Sequence, residues 1–477
     1  MDTIVINELF SAVFNVLYFG VILATIFIVI LDNRNPVKTM AWILVLFFLP
    51  IIGLAFYFFF GRNTRKERLI SRKGYSRLNK RPVAEYQAQE RLVEKAGTSH
   101  LMSFFSRVND AWAFEGNTVD IYTDGYSMLQ ALMHEISLAH HHIHLQFYIF
   151  EDDAVGRLLR DLLIDKARQG VKVRLLYDDV GCWKVDSMFY DQMLCEGIEV
   201  QSFLKVRFPR FTSKVNYRNH RKIAVIDGRV GFIGGMNIAE RYVKGVSWGI
   251  WRDTHVRIEG KGVYGLQSSF LTDWYVVERT LLTSAEYYPK IPDRGIAIAQ
   301  VVTSDPVGEW HDMMQGLMKA VCSARHYFYV ETPYFLPAEE VMAAFQIAAL
   351  AGVDVRIMLP KRADTFLTHE GSLSYLDELM KAGVKVYLYR KGFLHSKLWV
   401  SDDEFASVGS TNMDFRSFEY NFEANVFFYD KATIKQLKEV FLSDQKSCLQ
   451  LSRKIWSQRS WKNKVMESVV RLLAPLL

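Results

Sequence analysis

Cysteine is scarce in this chain: Cys182, Cys195, Cys322 and Cys448 are the only four among 477 residues. Their wide spacing excludes a disulfide framework and a cysteine-based metal site, and it fits a reducing compartment. Charge is missing from Phe10 to Leu31, an apolar run of about one bilayer span. No basic leader precedes that run, and no small-residue cleavage site precedes a second one from Met40 to Phe60. A cleaved signal peptide is therefore not expected. The two runs, joined by the polar turn Asp32 to Lys38, predict a hairpin of two membrane helices, although Pro50-Ile51-Ile52-Gly53 leaves a re-entrant hairpin open. Acid is nearly absent from Arg62 to Arg81: nine Lys or Arg accompany the single Glu67, a local +8 in a chain of formal net charge +6. Basic residues beside a membrane helix mark the cytoplasmic side and favour anionic headgroups. The same stretch lacks the interleaved aromatics of a groove that stacks bases, so nucleic acid is not an expected partner.

What is present is a repeat. Asn219-His220-Arg221-Lys222 leads through Ile223 to Ile226 into Asp227-Gly228, and His395-Ser396-Lys397 leads through Leu398 to Val400 into Asp402-Asp403. Each His-x-Lys-x4-Asp is followed by a similar tail: Gly234, Gly235 and Asn237 in one copy, Gly409, Ser410 and Asn412 in the other. Apolar, partly β-branched residues ending in turn residues predict a β-hairpin in both copies. Alternation along a strand puts His220 with Lys222, and His395 with Lys397, on one face. A two-residue turn would set Gly235 opposite His220 with Asn237 one pleat along. It would set Ser410 opposite His395 and Asn412 opposite Phe393. Each copy then offers a phosphate-sized gap ringed by a nucleophile, a cation and an amide. The spacing removes the aspartates from that gap, because seven strand residues span roughly 23 Å; Asp227 and Asp402 read as turn residues.

The surrounding sequence repeats as well. Helices are expected over 126–139, 155–169 and 187–196, and strands over 143–150, 171–177 and 198–203. The second half echoes them with helices over 310–324, 337–351 and 372–382, and strands over 327–331, 353–359 and 384–389. Gly170 to Leu176 matches Gly352 to Met358 closely, so the duplication covers whole α/β domains. The expected boundaries are 1–61 for the membrane hairpin (helices near 10–31 and 40–60), 62–116 for a basic juxtamembrane linker, 117–290 and 291–448 for the two domains, and 449–477 for a basic amphipathic tail. Packed face to face, the domains would bring both histidine hairpins to one interface. His140, His141, His142 and His144 have no carboxylate or cysteine cluster beside them, which argues against a metal site. The tail mixes Arg453, Lys454, Arg459, Lys462, Lys464 and Arg471 with Ile455, Trp456, Trp461, Val465 and Met466. It reads equally as an interfacial helix or as a closing helix packed on the second domain.

The doubled motif with its Gly-Gly/Ser and Asn followers resembles the phospholipase D superfamily. Further stretches resemble its bacterial cardiolipin synthases: Pro50 to Gly53, Phe60-Gly61-Arg62, Tyr217 to Lys222, Trp251-Arg252-Asp253-Thr254-His255, Asn412 to Ser417 and Ala474 to Leu477. The resemblance implies a pseudo-dimer of two phospholipase D-like domains in a bacterial plasma membrane, with the catalytic domains on the cytoplasmic side. It implies a reaction without metal or cofactor, in which phosphatidylglycerol is both donor and acceptor and cardiolipin and glycerol are the products. Its catalytic set is His220, Lys222, Asp227, His395, Lys397 and Asp402, with Gly235, Asn237, Ser410 and Asn412 supporting the phosphate. An acid some way after each motif would orient an imidazole: Asp253 for the first copy and Glu423 for the second, with Glu240 and Glu419 as weaker candidates. His220 is the expected nucleophile and His395 the acid/base, with the reverse assignment left open by the near symmetry. Hydrolysis, or transfer from another donor or to another alcohol, is the alternative reaction. A homo-oligomer is left open.

Overall fold

The computed structural model describes residues 2–31, 36–57, 99–206 and 216–473. The chain divides into two compact units, residues 1–68 with 206–216 and residues 69–205 with 217–477. In the first, helix Asp2–Leu31 contains an apolar stretch, Ser11–Leu31, long enough to cross a membrane at about 1.5 Å per residue. The second apolar run is not one helix. Helix Pro36–Phe48 stops before Leu49, which leaves the helical region, and a new helix, Pro50–Phe56, starts at the proline. Proline has no N–H to give the preceding turn and its ring crowds that turn, so the break falls there. Thirteen residues rise only about 20 Å, short of a bilayer core, and Ser11–Leu31 is the one span of sufficient length among the described residues. Val29 and Ile26 pack with Leu46, Trp42, Ile43 and Tyr57. The basic run 62–81, the polar turn at 32–35 and the last residues, 474–477, lie outside the described residues.

In the second unit the duplication is plain in the strand order. One half runs Ala113–Tyr122, His255–Glu259, Val230–Gly234, Ile223–Ile226, His142–Phe147, Lys172–Asp178, Glu199–Phe203. The other runs Ala297–Ser304, Asn421–Phe428, Phe405–Gly409, Leu398–Ser401, Tyr327–Glu331, Asp354–Pro360, Lys385–Tyr389. Three successive strands of each half pair in parallel, joined by the crossover helices Ala154–Arg168 and Ser187–Cys195, and Glu339–Leu350 and Leu376–Ala382, and in the second half Cys448–Gln450 adds an antiparallel edge to Lys385–Tyr389. The halves meet where Ala113–Tyr122 pairs antiparallel with Ala297–Ser304, making one continuous sheet. One apolar cluster draws Ile223, Val225 and Val256 from the first half together with Leu398, Val400 and Val426 from the second.

Residues 99–116, expected within a linker, form helix His100–Val108 and the start of strand Ala113–Tyr122. Leu101 and Phe105 of that helix pack into the core of the second half. The expected helix 372–382 is two, Phe366–Leu373 and Leu376–Ala382. The tail forms helices Arg453–Ser457 and Trp461–Leu473.

Candidate active site

Both motif hairpins form, one register step away from the expected pairing. Ile226 pairs with Val230 and Ser401 with Phe405, so each turn has three residues. Asp227 and Gly228, and Asp402 and Asp403, take positive φ in these turns, a conformation that short polar residues and glycine tolerate. The motif aspartates have a further task. Asp227 Oδ1 accepts from the backbone N–H of His141 (2.8 Å) and His142 (2.9 Å), and its Oδ2 accepts from His140 (2.8 Å). Asp402 accepts in the same way from Arg325 (2.6 Å), His326 (3.0 Å) and Tyr327 (2.7 Å). Each aspartate pins the entry of the neighbouring strand, at the far end of its own strand from the histidine. Among the described residues neither carboxylate has a hydrogen bond to an imidazole.

The histidines leave the hairpins and pair with the opposite half. Arg218 and Asn219 run parallel to Asn421 and Phe422, and the N–H of His220 donates to the Phe422 carbonyl (2.9 Å). Phe393 and Leu394 run parallel to Trp251 and Arg252, and the N–H of His395 donates to the Arg252 carbonyl (2.7 Å). The next residue along each pairing is a carboxylate. His220 Nδ1 meets both oxygens of Glu423 at 3.1 Å, and His395 Nδ1 meets Asp253 Oδ2 at 2.5 Å. The expected assignment of Asp253 to the first copy and Glu423 to the second is therefore crossed. The weaker candidates lie elsewhere, Glu240 with Lys244 (2.5 Å) and Glu419 with His311 (3.1 Å).

The follower residues serve these carboxylates rather than facing the histidines. Gly235 donates its N–H to the Thr254 carbonyl, and Ser410 donates to that of Ala424, each carbonyl belonging to the residue after the acid. A Cβ at Gly235 would lie 2.1 Å from Asp253 Oδ1, so glycine makes room for the carboxylate. The Ser410 hydroxyl donates to Glu423 Oε2, and Asn421 Nδ2 donates to Oε1 (3.1 Å). Asn237 is tied into the fold: its Oδ1 accepts from Ile149 N–H (3.0 Å) and its Nδ2 donates to Tyr242 (2.5 Å). Asn412 differs, with a buried Oδ1 that has no hydrogen-bond partner among the described residues, so this amide can turn to a ligand.

Lys222 and Lys397 are fully buried. Lys222 Nζ donates to the His220 carbonyl (2.5 Å) and Lys397 Nζ to the His395 carbonyl, and Lys397 Nζ lies 2.8 Å from His395 Nδ1, whose proton faces Asp253. Burial lowers both ammonium groups, Lys397 to about 8, against the pull of Glu423 and Asp253. Burial likewise lowers both imidazoles. His395 is pressed to about 3 by burial and then by the Lys397 charge, with Asp253 opposing. His220 is lowered by burial and the Lys222 charge against the opposing pull of Glu423. Burial raises both carboxylates, but that is outweighed: Lys397 and His395 hold Asp253 below its usual range, and His220 and Lys222 do the same for Glu423. With each Nδ1 engaged by a carboxylate, Nε2 is the atom left for chemistry.

Several residues outside the expected catalytic set support the site. Arg221 binds Asp273 at 2.7 and 2.8 Å and donates to the Glu423 carbonyl (3.0 Å), fixing the backbone of that acid. Arg252 binds Asp444 (2.8 Å) and donates to the Asp253 carbonyl and the Thr254 hydroxyl. Thr254 in turn meets Ser396 across the halves at 2.7 Å. The Tyr148 ring lies 5.1 Å from His220, with Lys222 Nζ 5.4 Å from its centre. Trp251 and Phe393 flank His395. The histidines of 140–144 are committed elsewhere: Gln267 bridges His142 (3.0 Å) and His144 (2.9 Å), and Glu286 meets His141 (3.0 Å).

Known proteins agree with this architecture. The family described as "Cardiolipin synthase, PLD-like domain" matches residues 132–265 and 317–445, and "Phospholipase D-nuclease N-terminal" matches 20–62. A cardiolipin synthase of Geobacillus sp. (strain WCH70) is 40% identical over 94% of this chain and 91% of its own length. The major cardiolipin synthase of Bacillus subtilis (strain 168) is 38% identical over 96% and 97%. Among solved structures, the phosphatidylserine synthase of Haemophilus influenzae Rd KW20 shares the fold at a TM-score of 0.61 and 13% identity, covering 79% of this chain and 98% of its own. Matched in both repeats and along nearly the whole length of full-size relatives, this chain belongs to the cardiolipin synthase family of phospholipase D-like proteins.

Proposed function

We infer that the protein makes cardiolipin by moving a phosphatidyl group from one phosphatidylglycerol to another, with release of glycerol. One observation carries the mechanism: two imidazoles, one per repeat, His395 buried and His220 partly exposed, each have Nδ1 on a carboxylate of the other repeat and Nε2 left to react. His220 Nε2 attacks the phosphorus of the first lipid, and the bond to the glycerol oxygen breaks as His395 gives that oxygen a proton. The phosphatidyl-histidine is then attacked by the primary hydroxyl of the second lipid, whose proton passes to His395. Without lipid, burial and then the Lys397 charge hold His395 neutral, and Asp253 opposes them by stabilising the imidazolium. A phosphodiester anion against Lys397 cancels the ammonium charge that lowers His395. Lys222, Lys397 and the Asn412 amide balance charge on the phosphoryl oxygens.

The apolar Ser11–Leu31 helix associates the protein with a membrane. In the reading we favour, the shorter helices after it complete a hairpin and the basic run 62–81 keeps the catalytic halves cytoplasmic.

Purified protein given labelled phosphatidylglycerol should form cardiolipin and glycerol in equal amounts. Phosphatidic acid as the main product would replace synthesis by hydrolysis. His220→Ala and His395→Ala should each abolish product, and protein denatured in detergent at mildly alkaline pH, where a phosphohistidine persists, should carry labelled phosphatidyl on His220 but not on His395. Near-normal turnover in either variant would refute the two-histidine mechanism.

A further inference from the structure

The tail helix Trp461–Leu473 has two unlike faces. One is covered by the chain itself. Val470 and Glu467 are buried, Arg459 binds Glu467 (2.6 Å), and Arg471 reaches Glu378 (2.5 Å) over the Tyr375 ring. This face closes the second half, with Val470 against Gly371 of helix Phe366–Leu373. The other face carries Trp461, Val465, Val469 and Leu472, all more than half exposed. Their spacing of four, four and three residues puts them on one stripe.

Charge narrows what covers that stripe. Glu467 is the one acid between 451 and 473, and it points inward, whereas Lys462 and Lys464 are exposed and flank the apolar stripe on the same helix. A second copy pressed against this face would oppose cation to cation across the two-fold axis. Anionic headgroups match it, with the Trp461 indole suited to the boundary between headgroup and acyl chain. Phe366 and Leu367 of the helix packed against the tail helix are also exposed. From there a short relay leads to the site. Asp364 binds the Tyr334 hydroxyl (2.7 Å), the Tyr334 ring lies 6.5 Å from Phe393, and Phe393 lies 5.6 Å from His395.

We propose that the outer face of the Trp461–Leu473 helix is a second membrane contact, docking the catalytic half on an anionic lipid surface independently of the N-terminal apolar helix. The face is fixed to the folded half by Arg471, Glu467 and Val470, so lipid contact there sets the position of the half that carries His395.

The test uses the full chain with the exposed thiols removed (Cys195→Ser, Cys322→Ser) and an environment-sensitive fluorophore on Val465→Cys. It is reconstituted in phosphatidylcholine vesicles with or without phosphatidylserine, an anionic lipid that is not the donor. The expected result is a blue-shifted emission, quenched by bromine-labelled acyl chains, in the anionic vesicles only. The same label on Leu158→Cys should show neither effect. Equal emission in anionic vesicles, neutral vesicles and detergent would overturn the proposal. So would a shift in detergent that grows with protein concentration, which identifies a second copy as the occupant. This readout does not depend on turnover, so it stands or falls apart from the proposed reaction. As a second measurement, Val465→Glu with Leu472→Glu should lower conversion of vesicle phosphatidylglycerol about tenfold and leave conversion of a short-chain, dissolved phosphatidylglycerol unchanged. Equal loss on both substrates would mean that the face serves only the fold.

Discussion

His395 and Asp253 belong to different repeats, 142 positions apart, and yet share a hydrogen bond of 2.5 Å. His220 and Glu423 are crossed in the same way. Neither repeat supplies the carboxylate for its own motif histidine. Asp253→Asn should therefore disable the His395 step, and Glu423→Gln the His220 step, each lowering kcat by 10²-fold or more, as loss of an oriented acid or base does, roughly 10²–10⁴. Both variants should slow the appearance of phosphatidyl-enzyme in a rapid-quench experiment, because nucleophile and acid act in the same step, and the histidine that carries the label assigns the two roles.

Gly235 and Ser410 occupy equivalent places but are not interchangeable. Gly235→Ser adds a Cβ where Asp253 Oδ1 already sits, 2.1 Å away. It should displace the carboxylate and cost activity nearly as much as Asp253→Asn, with a cooperative thermal transition retained. Ser410→Gly removes one donor from Glu423 and should cost about tenfold, the worth of a hydrogen bond to a charged group at roughly 1.5–3 kcal/mol. Steady-state kinetics on the two variants test the ranking.

Asp402→Ala should affect stability and not chemistry. It strands three backbone N–H groups, those of Arg325, His326 and Tyr327. A loss of about 2 kcal/mol is expected from cap and buried hydrogen-bond values. The thermal midpoint should fall while turnover per folded molecule at low temperature stays within about twofold of the parent. A drop in turnover of the size seen for His395→Ala would return this aspartate to the catalytic set.

Two limbs are expected in the pH response. Burial, more than any other cause, lowers His142 to about 4 and His255 and His395 to about 3. The unfolded chain takes up protons near 6.5 that the folded chain refuses. The stability these groups confer is complete above that value and is lost as pH falls from about 6.5 toward 3. For His142 alone the loss is about 2 kcal/mol by pH 5, and His142→Asn should flatten the fall of the thermal midpoint between pH 7 and 5. On the alkaline side Lys397, lowered to about 8 first of all by burial, loses its charge. The ratio kcat/KM should decline above that pH, and Lys397→Arg should remove the decline even if it lowers the maximum.

The sequence by itself determined the repeat, the class of fold and the histidine–lysine pairs. A duplicated motif at constant separation, and apolar periods of strand and helix, are local signals. Distance arithmetic along one strand was enough to take Asp227 and Asp402 away from the imidazoles. Strands Ala297–Ser304 and Asn421–Phe428 were less legible, because both faces are covered and polar residues such as Gln300, Glu423 and Asn425 lie inside them, so no polar–apolar alternation marks them. The hairpin register was missed by one step because the turn takes three residues, and that depends on the aspartate being held by a neighbouring strand. Only the tertiary structure decided which acid serves which histidine. The partners are set by short parallel pairings between the halves, Asn219 beside Phe422 and Leu394 beside Arg252. Such pairings are made by backbone groups that any sequence carries, so side-chain pattern cannot announce them.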